Sequence, residues 1–301
     1  MAECEEYVAR LLAVREGHPR LALLASQQLN GPGDAVARHL CTTGPVETLS
    51  SACASGSLAI GAALDALRAG EVDVAVAGGA DSLCLLTYSG FNSLRLVDPD
   101  PCVPFRRDRK GMSLGEGSGV LVLERLNHAR RRGAHPLAEL EGAGASCDAH
   151  HMTAPHPDGE GSVRAMKAAL RDAGVSPDDI AFVNTHGTGT QQNDVAEARA
   201  ISTVFGHRAD KIPVTATKGA VGHLLGSAGA IEAVDTVLCF LDRCIHATHD
   251  GGAVDAECGV DLVLEKQRPL PEGSKAMSTS FAFGGANAAL VFSDWQEDEV
   301  S

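Results

Sequence analysis

Two segments of the sequence follow one plan, in which a β-branched apolar stretch enters a turn of small residues and then an Ala- and Gly-rich helix. Residues 46–67 read VETLSSACASGSLAIGAALDAL, and residues 212–238 read IPVTATKGAVGHLLGSAGAIEAVDTVL. Strand–helix–strand units of this kind build parallel sheets, whose ligands bind at the carboxyl ends of the strands. The repeat therefore predicts an α/β fold in which two related halves bring their turns to one place.

The turn of the first segment carries a cysteine. Residues 46–50 have the β-branched and apolar character of a short strand, and the helical spacing that follows ends at Gly70. Cys53 is thus predicted to lie at a helix start, where the positive end of the helix favours its thiolate. The local pattern leaves a second interpretation open, because a free cysteine is often a small buried core residue.

Three more reactive side chains follow predicted strands. His186 comes after the strand in IAFVNTHGTGT, Lys218 comes after IPVTAT, and His223 lies five residues beyond the lysine. A thiolate can hold an acyl group as a thioester, and two neutral imidazoles can each donate an N–H to an enolate oxygen. We expect the nearby helix end and Lys218 to lower the pKa of His223 and keep it neutral.

The remaining elements of the chain are predicted from pattern alone. Strands are predicted at 21–26, 72–80, within 115–126, at 259–264 and at 288–293, and residues 180–190 are predicted as a strand that runs into a turn. Helices are predicted at 34–40, 160–174 and 194–206, and residues 218–241 are predicted as a turn that leads into a long apolar helix. Aromatic residues make up only 4% of the chain and 33 residues are glycine, so we expect close packing between small residues of neighbouring layers.

Composition excludes several classes of function. A net charge of −14 argues against nucleic acid or an anionic membrane as the main partner. Nine cysteines at scattered spacings do not form a disulfide framework, and the N-terminus is acidic where a signal peptide is basic. No apolar run is long enough to span a bilayer, so a reduced, cytoplasmic protein is expected.

Five blocks of sequence, in order, carry a resemblance to a known family. They read SSACASGS, CVPFRRDRKGMSLGEGSGVLVLE, VNTHGTGTQQND, TKGAVGHLLGSAGA and SFAFGGANAALVF. Together they resemble the β-ketoacyl-acyl-carrier-protein synthases of the thiolase superfamily over residues 34–293. The resemblance implies a thiolase-like α-β-α-β-α sandwich, with the cysteine in an N-terminal half (1–140) and both histidines in a C-terminal half (141–301). Because only 52 residues precede Cys53, we expect the N-terminal half to be abbreviated.

The resemblance also implies roles for the site residues. Cys53 resembles the acyl-accepting nucleophile, and its backbone N–H joins that of the gating residue Phe283 in an oxyanion hole. His186 and His223 resemble the pair that supports decarboxylation and condensation. Lys218 resembles the lysine that positions the second histidine and tunes it electrostatically, and Glu197 resembles a buried acid that orients this lysine. Thr188 and Thr190 resemble the threonines that touch the phosphopantetheine arm. Asn184 and Glu232 match positions that hold a monovalent cation in some members.

The implied activity is decarboxylative condensation of an acyl thioester with malonyl-acyl carrier protein, in fatty acid or type II polyketide synthesis. No bound cofactor is expected, because both substrates are carried on the phosphopantetheine of an acyl carrier protein. The implied partners are that carrier protein and a second ketosynthase-like chain, identical or different. The alternative is a non-catalytic partner subunit, like a chain-length factor, although such partners typically lack the nucleophilic cysteine.

Two other interpretations are disfavoured by their context. The run GEGSG at 115–119 precedes its strand, whereas a dinucleotide-binding loop follows one. Cys239 and Cys244 have no second cysteine pair to complete a zinc site, and His150, His151 and His156 fit a loop beside the active site better than a metal centre. No metal site is therefore predicted.

Overall fold

The computed structural model describes residues 5, 6, 9, 28–248 and 252–296 of the chain. Its helices are α1 (Gly31–Leu40), α2 (Ser55–Ala69), α3 (Leu85–Ser93), α4 (Leu126–Arg131), α5 (Glu160–Ala173), α6 (Gln191–Phe205), α7 (Lys218–Val221) and α8 (Ala228–Leu241). Its strands are β1 (Val74–Asp81), β2 (Gly117–Glu124), β3 (Ala138–Cys147), β4 (Ile180–Asn184), β5 (Pro213–Thr215), β6 (Cys244–Ile245), β7 (Asp261–Leu262), β8 (Arg268–Pro269), β9 (Lys275–Phe281) and β10 (Ala286–Asp294).

Six strands of the C-terminal half form one mixed sheet in the order β3-β10-β9-β4-β5-β7. Strand β4 runs parallel to both β9 and β5, and β5 runs parallel to β7. Strand β10 is antiparallel to β9 and β3 on either side of it. The parallel strands β4 and β5 end side by side, so His186 and Lys218 emerge at the same edge of the sheet, as the sequence predicts.

The N-terminal half differs from the predicted parallel unit. Strands β1 and β2 form an antiparallel pair, with Val74 opposite Glu124 and Asp81 opposite Gly117. The predicted strand at 46–50 is wrong: these residues form no strand, because no other described strand pairs with them. The predicted strand at 21–26 lies outside the described residues.

Alternating layers of helices and sheets surround two apolar cores. Helices α2 and α8 pack between the β1–β2 pair and the six-stranded sheet, while α5 and α6 cover the opposite face of that sheet. The core between the sheets includes Ile60, Phe182, Ala230, Phe240 and Phe292, all buried. The outer face of the β1–β2 pair instead presents Val76, Val120 and Val122 to solvent.

Small residues set the distance between these layers, as the composition predicts. A Cβ atom added at Gly56 on α2 meets the backbone nitrogen of Ala230 on α8 at 2.7 Å. A Cβ added at Gly144 on β3 meets the carbonyl oxygen of Ala165 on α5 at 2.2 Å. Neither neighbour is a flexible side chain, so larger residues at these glycines force the backbone to move.

The other predicted elements form, although 218–241 divides into α7 and α8, and six of the helices and strands given above were not predicted: α3, α4, β3, β6, β8 and β9. Helix α3 lacks a helical apolar stripe and has no buried residue, and β3 and β9 are rich in small and polar residues. The division proposed between residues 140 and 141 falls inside β3, which belongs to the C-terminal sheet from Ala138 onward. None of the helices in the described ranges has both the length and the apolar character needed to cross a bilayer.

Candidate active site

Cys53 occupies the turn that enters α2. Ala52 before it has a positive φ of 47°, and Ala54 after it is the N-cap of the helix. The thiol is only 5% exposed. Burial raises the pKa of Cys53 to about 11, although the charge of Lys218 and a hydrogen bond from the backbone N–H of Phe283 act to lower it. The prediction that the helix end favours the thiolate is therefore wrong for the free protein, because desolvation of the thiolate is the larger effect.

The predicted gating residue contacts the cysteine through its backbone. Phe283 begins a 3₁₀ turn in which Gly284 has a φ of 82°, and its N–H points at the sulfur of Cys53. The ring of Phe283 packs 5.5 Å from that of Phe91, measured between ring centroids. Phe91 lies on α3, a helix that was not predicted from the sequence, so α3 packs against the turn of Phe283 through this ring.

His186 is held by its backbone at the end of β4. Its N–H donates to Oε1 of Glu197 at 2.8 Å, and the N–H of Gly187 donates to Oε2 of the same carboxylate at 2.8 Å. Thr279 of β9 also donates to Glu197, at 2.8 Å. The prediction that Glu197 orients the lysine is therefore wrong. Glu197 instead accepts hydrogen bonds from the turn that carries His186, and the lysine pairs with a different acid.

Lys218 reaches both a histidine and a carboxylate at the start of α7. Its Nζ atom lies 3.1 Å from Nδ1 of His186 and forms an ion pair with Glu232 of α8. The prediction placed the lysine beside His223, whereas its direct contact is with His186. Sequence reasoning gave Glu232 only as a cation position, and the i+14 spacing from Lys218 carries no local signal for an ion pair.

His223 presents one nitrogen without a partner. The backbone N–H of Leu225 donates to Nδ1 of His223 at 3.1 Å, so Nδ1 bears no proton. A neutral ring then carries its proton on Nε2, which is buried and has no hydrogen-bond partner among the described residues. An unpaired buried donor is costly, so this N–H is available to an acceptor atom of a ligand or a water.

The two imidazoles lie edge to face in a buried environment close to the positive charge of Lys218. Their ring centroids are 5.3 Å apart and their planes are nearly perpendicular, at 87°. Burial lowers the pKa of both His186 and His223 well below the usual value, and the charge of Lys218 lowers both further. Both rings are therefore neutral near pH 7, as predicted for His223.

The two predicted substrate-binding threonines lie in the turn after His186. Their hydroxyls are 2.9 Å apart, and that of Thr190 caps α6 by accepting from the backbone N–H of Asn193. The buried guanidinium of Arg109 holds the carbonyl oxygen of Thr190 at 3.3 Å and pairs with Asp194. Arg109 was not predicted because it lies 81 positions from Thr190 in the sequence, and Asp194, four residues after Thr190, has no sequence signal for this ion pair.

The positions suggested for a monovalent cation are engaged within the protein. Asn184 donates through Nδ2 to Asp235 at 2.9 Å and to the carbonyl oxygen of Glu232 at 3.1 Å, while the Glu232 carboxylate pairs with Lys218. The histidine-rich loop at 148–156 lies against the turn of Phe283, as expected. The backbone N–H of Asp148 donates to the carbonyl oxygen of Gly285, and the N–H of Gly284 donates to the carbonyl oxygen of Met152, each at 2.8 Å.

Comparisons with known proteins agree with this arrangement. Residues 17–129 match the beta-ketoacyl synthase N-terminal domain, and residues 137–251 match the beta-ketoacyl synthase C-terminal domain. The chain is 40% identical over 263 residues to 3-oxoacyl-[acyl-carrier-protein] synthase 2 of Staphylococcus aureus, an alignment that covers 85% of this chain and 65% of that protein. It is 42% identical over 265 residues to the synthase of the same name from Synechocystis, covering 86% of this chain and 64% of that protein. The chain therefore spans slightly less than two thirds of the length of these relatives.

Solved structures match nearly the whole chain. The ishigamide ketosynthase/chain length factor superposes with a TM-score of 0.92 at 35% identity, covering 98% of this chain and 72% of that chain. A beta-ketoacyl synthase from Burkholderia phymatum superposes with a TM-score of 0.90 at 33% identity, covering 98% and 73%. The layered sandwich is therefore the thiolase-like fold, and the chain belongs to the β-ketoacyl synthase family.

Proposed function

We propose that this chain carries the active site of a β-ketoacyl-acyl-carrier-protein synthase. The observation that carries the proposal is the buried Nε2 of His223, a donor without a partner in the described part of the chain, which lies beside neutral His186. Lys218, which contacts His186, also acts on the thiol of Cys53 through its charge. Two neutral N–H donors on neighbouring rings suit an oxygen that gains negative charge during the reaction. A thiol in the same site suits a covalent acyl intermediate.

The first step is acyl transfer to Cys53. The thiolate attacks the carbonyl carbon of an acyl thioester, the carrier thiolate leaves, and the proton of Cys53 goes to that leaving sulfur. The backbone N–H groups of Cys53 and Phe283 stabilise the oxyanion that forms. Burial raises the pKa of Cys53 to about 11, so the thiol is protonated in the free protein. We therefore expect the acyl thioester to bind before the thiol of Cys53 loses its proton.

The second step is decarboxylative condensation with a malonyl thioester. The bond to the carboxylate breaks, carbon dioxide leaves, and the electron pair forms an enolate whose oxygen accepts from the Nε2–H of His186 and of His223. The enolate carbon then attacks the acyl carbonyl, and Cys53 leaves as the thiolate. Lys218 keeps His186 neutral and orients its ring, since Lys218 donates to Nδ1 of that ring.

The proposed partners are an acyl carrier protein and a second ketosynthase-like chain. Matched structures include a ketosynthase in complex with its chain length factor, and a type II polyketide acyl-carrier protein in complex with its ketosynthase. In this chain, α3 has no buried residue and exposes Leu85 and Leu86, at 70% and 62%. We propose two related halves that meet between α4 and β3, and an assembly that covers α3.

The alternative is a partner subunit that shapes the pocket of another synthase without catalysis. The match to the ishigamide ketosynthase/chain length factor supports this alternative. The presence of Cys53 favours the enzyme. The two functions differ in one observable, since only the enzyme forms an acyl-cysteine.

Intact-protein mass spectrometry after incubation with an acyl-acyl-carrier-protein tests the proposal. We expect one acyl group per chain, absent in Cys53→Ala and retained in Cys258→Ala, a matched control at another buried cysteine. Release of carbon dioxide from malonyl-acyl carrier protein should fall on the order of 10²–10³-fold in His223→Ala, as when an oxyanion donor is removed. If the folded chain is not acylated, either alone or with its partner chain, the enzyme proposal is wrong and the partner-subunit function is supported.

A further inference from the structure

Three side chains of metal-binding types converge beside α8, outside the proposed active site. Asp235 and Cys239 lie one turn apart on α8, and His246 follows β6. Their ligand atoms all lie within 4.8 Å of one another. Cys239 is buried, whereas the side chains of Asp235 and His246 are 24% and 29% exposed, so the cluster opens to solvent on one side.

Neighbouring groups orient this cluster. Nδ1 of His246 lies 3.2 Å from the carbonyl oxygen of Ala247, to which it can donate, so Nε2 faces the cluster, 2.6 Å from Oδ2 of Asp235. Asn184 and Thr217 donate to the same carboxylate oxygen, at 2.9 and 3.0 Å. Backbone carbonyls and side-chain donors of this kind are the outer partners that fix metal ligands in proteins.

We propose that Asp235, Cys239 and His246 bind one Zn²⁺ ion, with water as the fourth ligand. A carboxylate oxygen, a thiolate and an imidazole are zinc ligands, whereas calcium and magnesium take oxygen ligands. The ion takes the place of the proton between His246 and Asp235. A tetrahedral zinc site holds such ligand atoms about 3.5 Å apart, so Nε2 of the partly exposed His246 moves away from Oδ2 of Asp235, from 2.6 Å, to admit the ion.

Binding releases protons, because the ligating sulfur is a thiolate. A ligating thiol must give up its proton, which passes to the buffer as the S–Zn bond forms, and a ligating imidazole must be neutral.

The proposed zinc site is adjacent to the proposed active site, because neighbouring residues on the same elements belong to each. Asp235 stands three residues after Glu232 on α8, and Thr217, which donates to Asp235, immediately precedes Lys218. The sequence predicts no metal here, because Cys239 and Cys244 have no second cysteine pair to complete a zinc site. The actual partners of Cys239 are an acid on its own helix and a histidine from the segment after β6.

Cobalt titration of the full chain tests the ligand set, in a Cys53→Ser background that removes the active-site thiol. We expect one equivalent of Co²⁺ to produce a thiolate-to-cobalt absorption band in the near ultraviolet, and Zn²⁺ to abolish it. Cys239→Ser should lose the band, and Cys258→Ser, at another buried cysteine, should keep it. Absence of the band, or its persistence in Cys239→Ser, overturns the proposal.

Isothermal titration with Zn²⁺ provides a second test with a milder variant. His246→Gln changes a partly exposed side chain and should lower zinc affinity at least about tenfold, the lower end of what even outer-partner changes cause. His207→Gln, at an exposed histidine far along the chain, should leave affinity unchanged. Titrations in buffers of different ionisation enthalpy should show at least one proton released per ion. Unchanged affinity in folded His246→Gln overturns the site.

Discussion

Nζ of Lys218 lies 3.1 Å from Nδ1 of His186, and the same ammonium pairs with the carboxylate of Glu232. All three side chains are at most 2% exposed. The lysine donates to Nδ1, so a neutral His186 carries its proton on Nε2, as His223 does. One buried ion pair thereby fixes the tautomer of one imidazole and lowers the pKa of both.

Removing the lysine should strongly destabilise the fold. Lys218→Met leaves the Glu232 carboxylate buried without its partner, which costs about 3–5 kcal/mol in the free energy of unfolding. The double variant Lys218→Met, Glu232→Gln should lose less stability than the sum of the two single variants. Urea denaturation of the four proteins measures this coupling, and additive losses would show that the pair acts independently.

Protonation of the buried histidines should weaken the fold at acidic pH. The folded pKa of His223 lies well below the unfolded value of 6.5, so its contribution is present above pH 6.5 and is lost as the pH falls. His223→Gln removes this contribution, so its stability deficit relative to the parent should shrink by about 1.4 kcal/mol between pH 7.5 and pH 5.5. Urea denaturation at both values checks this. An equal deficit at both values would mean that His223 is not held neutral by burial.

Alkylation of Cys53 should depend steeply on pH. With a pKa of about 11, its thiolate fraction rises about tenfold per pH unit between pH 7 and pH 10. The exposed Cys41 and Cys147 should react with low-dose iodoacetamide before Cys53. Lys218→Met should slow Cys53 further, since the charge of Lys218 lowers its pKa. Peptide mass spectrometry follows each site, and a rate independent of pH would mean that the helix end prevails over burial.

A methyl group added between β3 and α5 should destabilise the fold, because the two elements are in close contact. Gly144→Ala places a Cβ 2.2 Å from the carbonyl oxygen of Ala165 and should lower the free energy of unfolding by about 1–3 kcal/mol. Gly90→Ala on α3 is the matched control, because a Cβ there meets nothing within 4 Å. That change should be neutral or stabilising by up to about 1 kcal/mol. Equal effects of the two changes would contradict the close approach of β3 and α5.

Periodicity and turn residues alone determined much of the local structure. The apolar spacing of residues 160–174 predicted α5, and Gly70 correctly marked the end of α2 with a φ of 74°. The same reasoning brought Cys53, His186, Lys218 and His223 to strand or helix ends, because parallel strands end at one edge of a sheet. These features depend on neighbours within a few residues, which a sequence pattern records directly.

Tertiary structure decided the partners and the electrostatics of the site. Lys218 pairs with Glu232 and contacts His186, and Glu197 holds the His186 turn, because the folded layers bring together residues that lie 10 to 32 positions apart. Burial, which only the packed structure defines, reversed the expected shift of the Cys53 pKa. The stretch at 46–50 has strand-like residues but forms no strand, since a strand exists only where a neighbour supplies its hydrogen bonds.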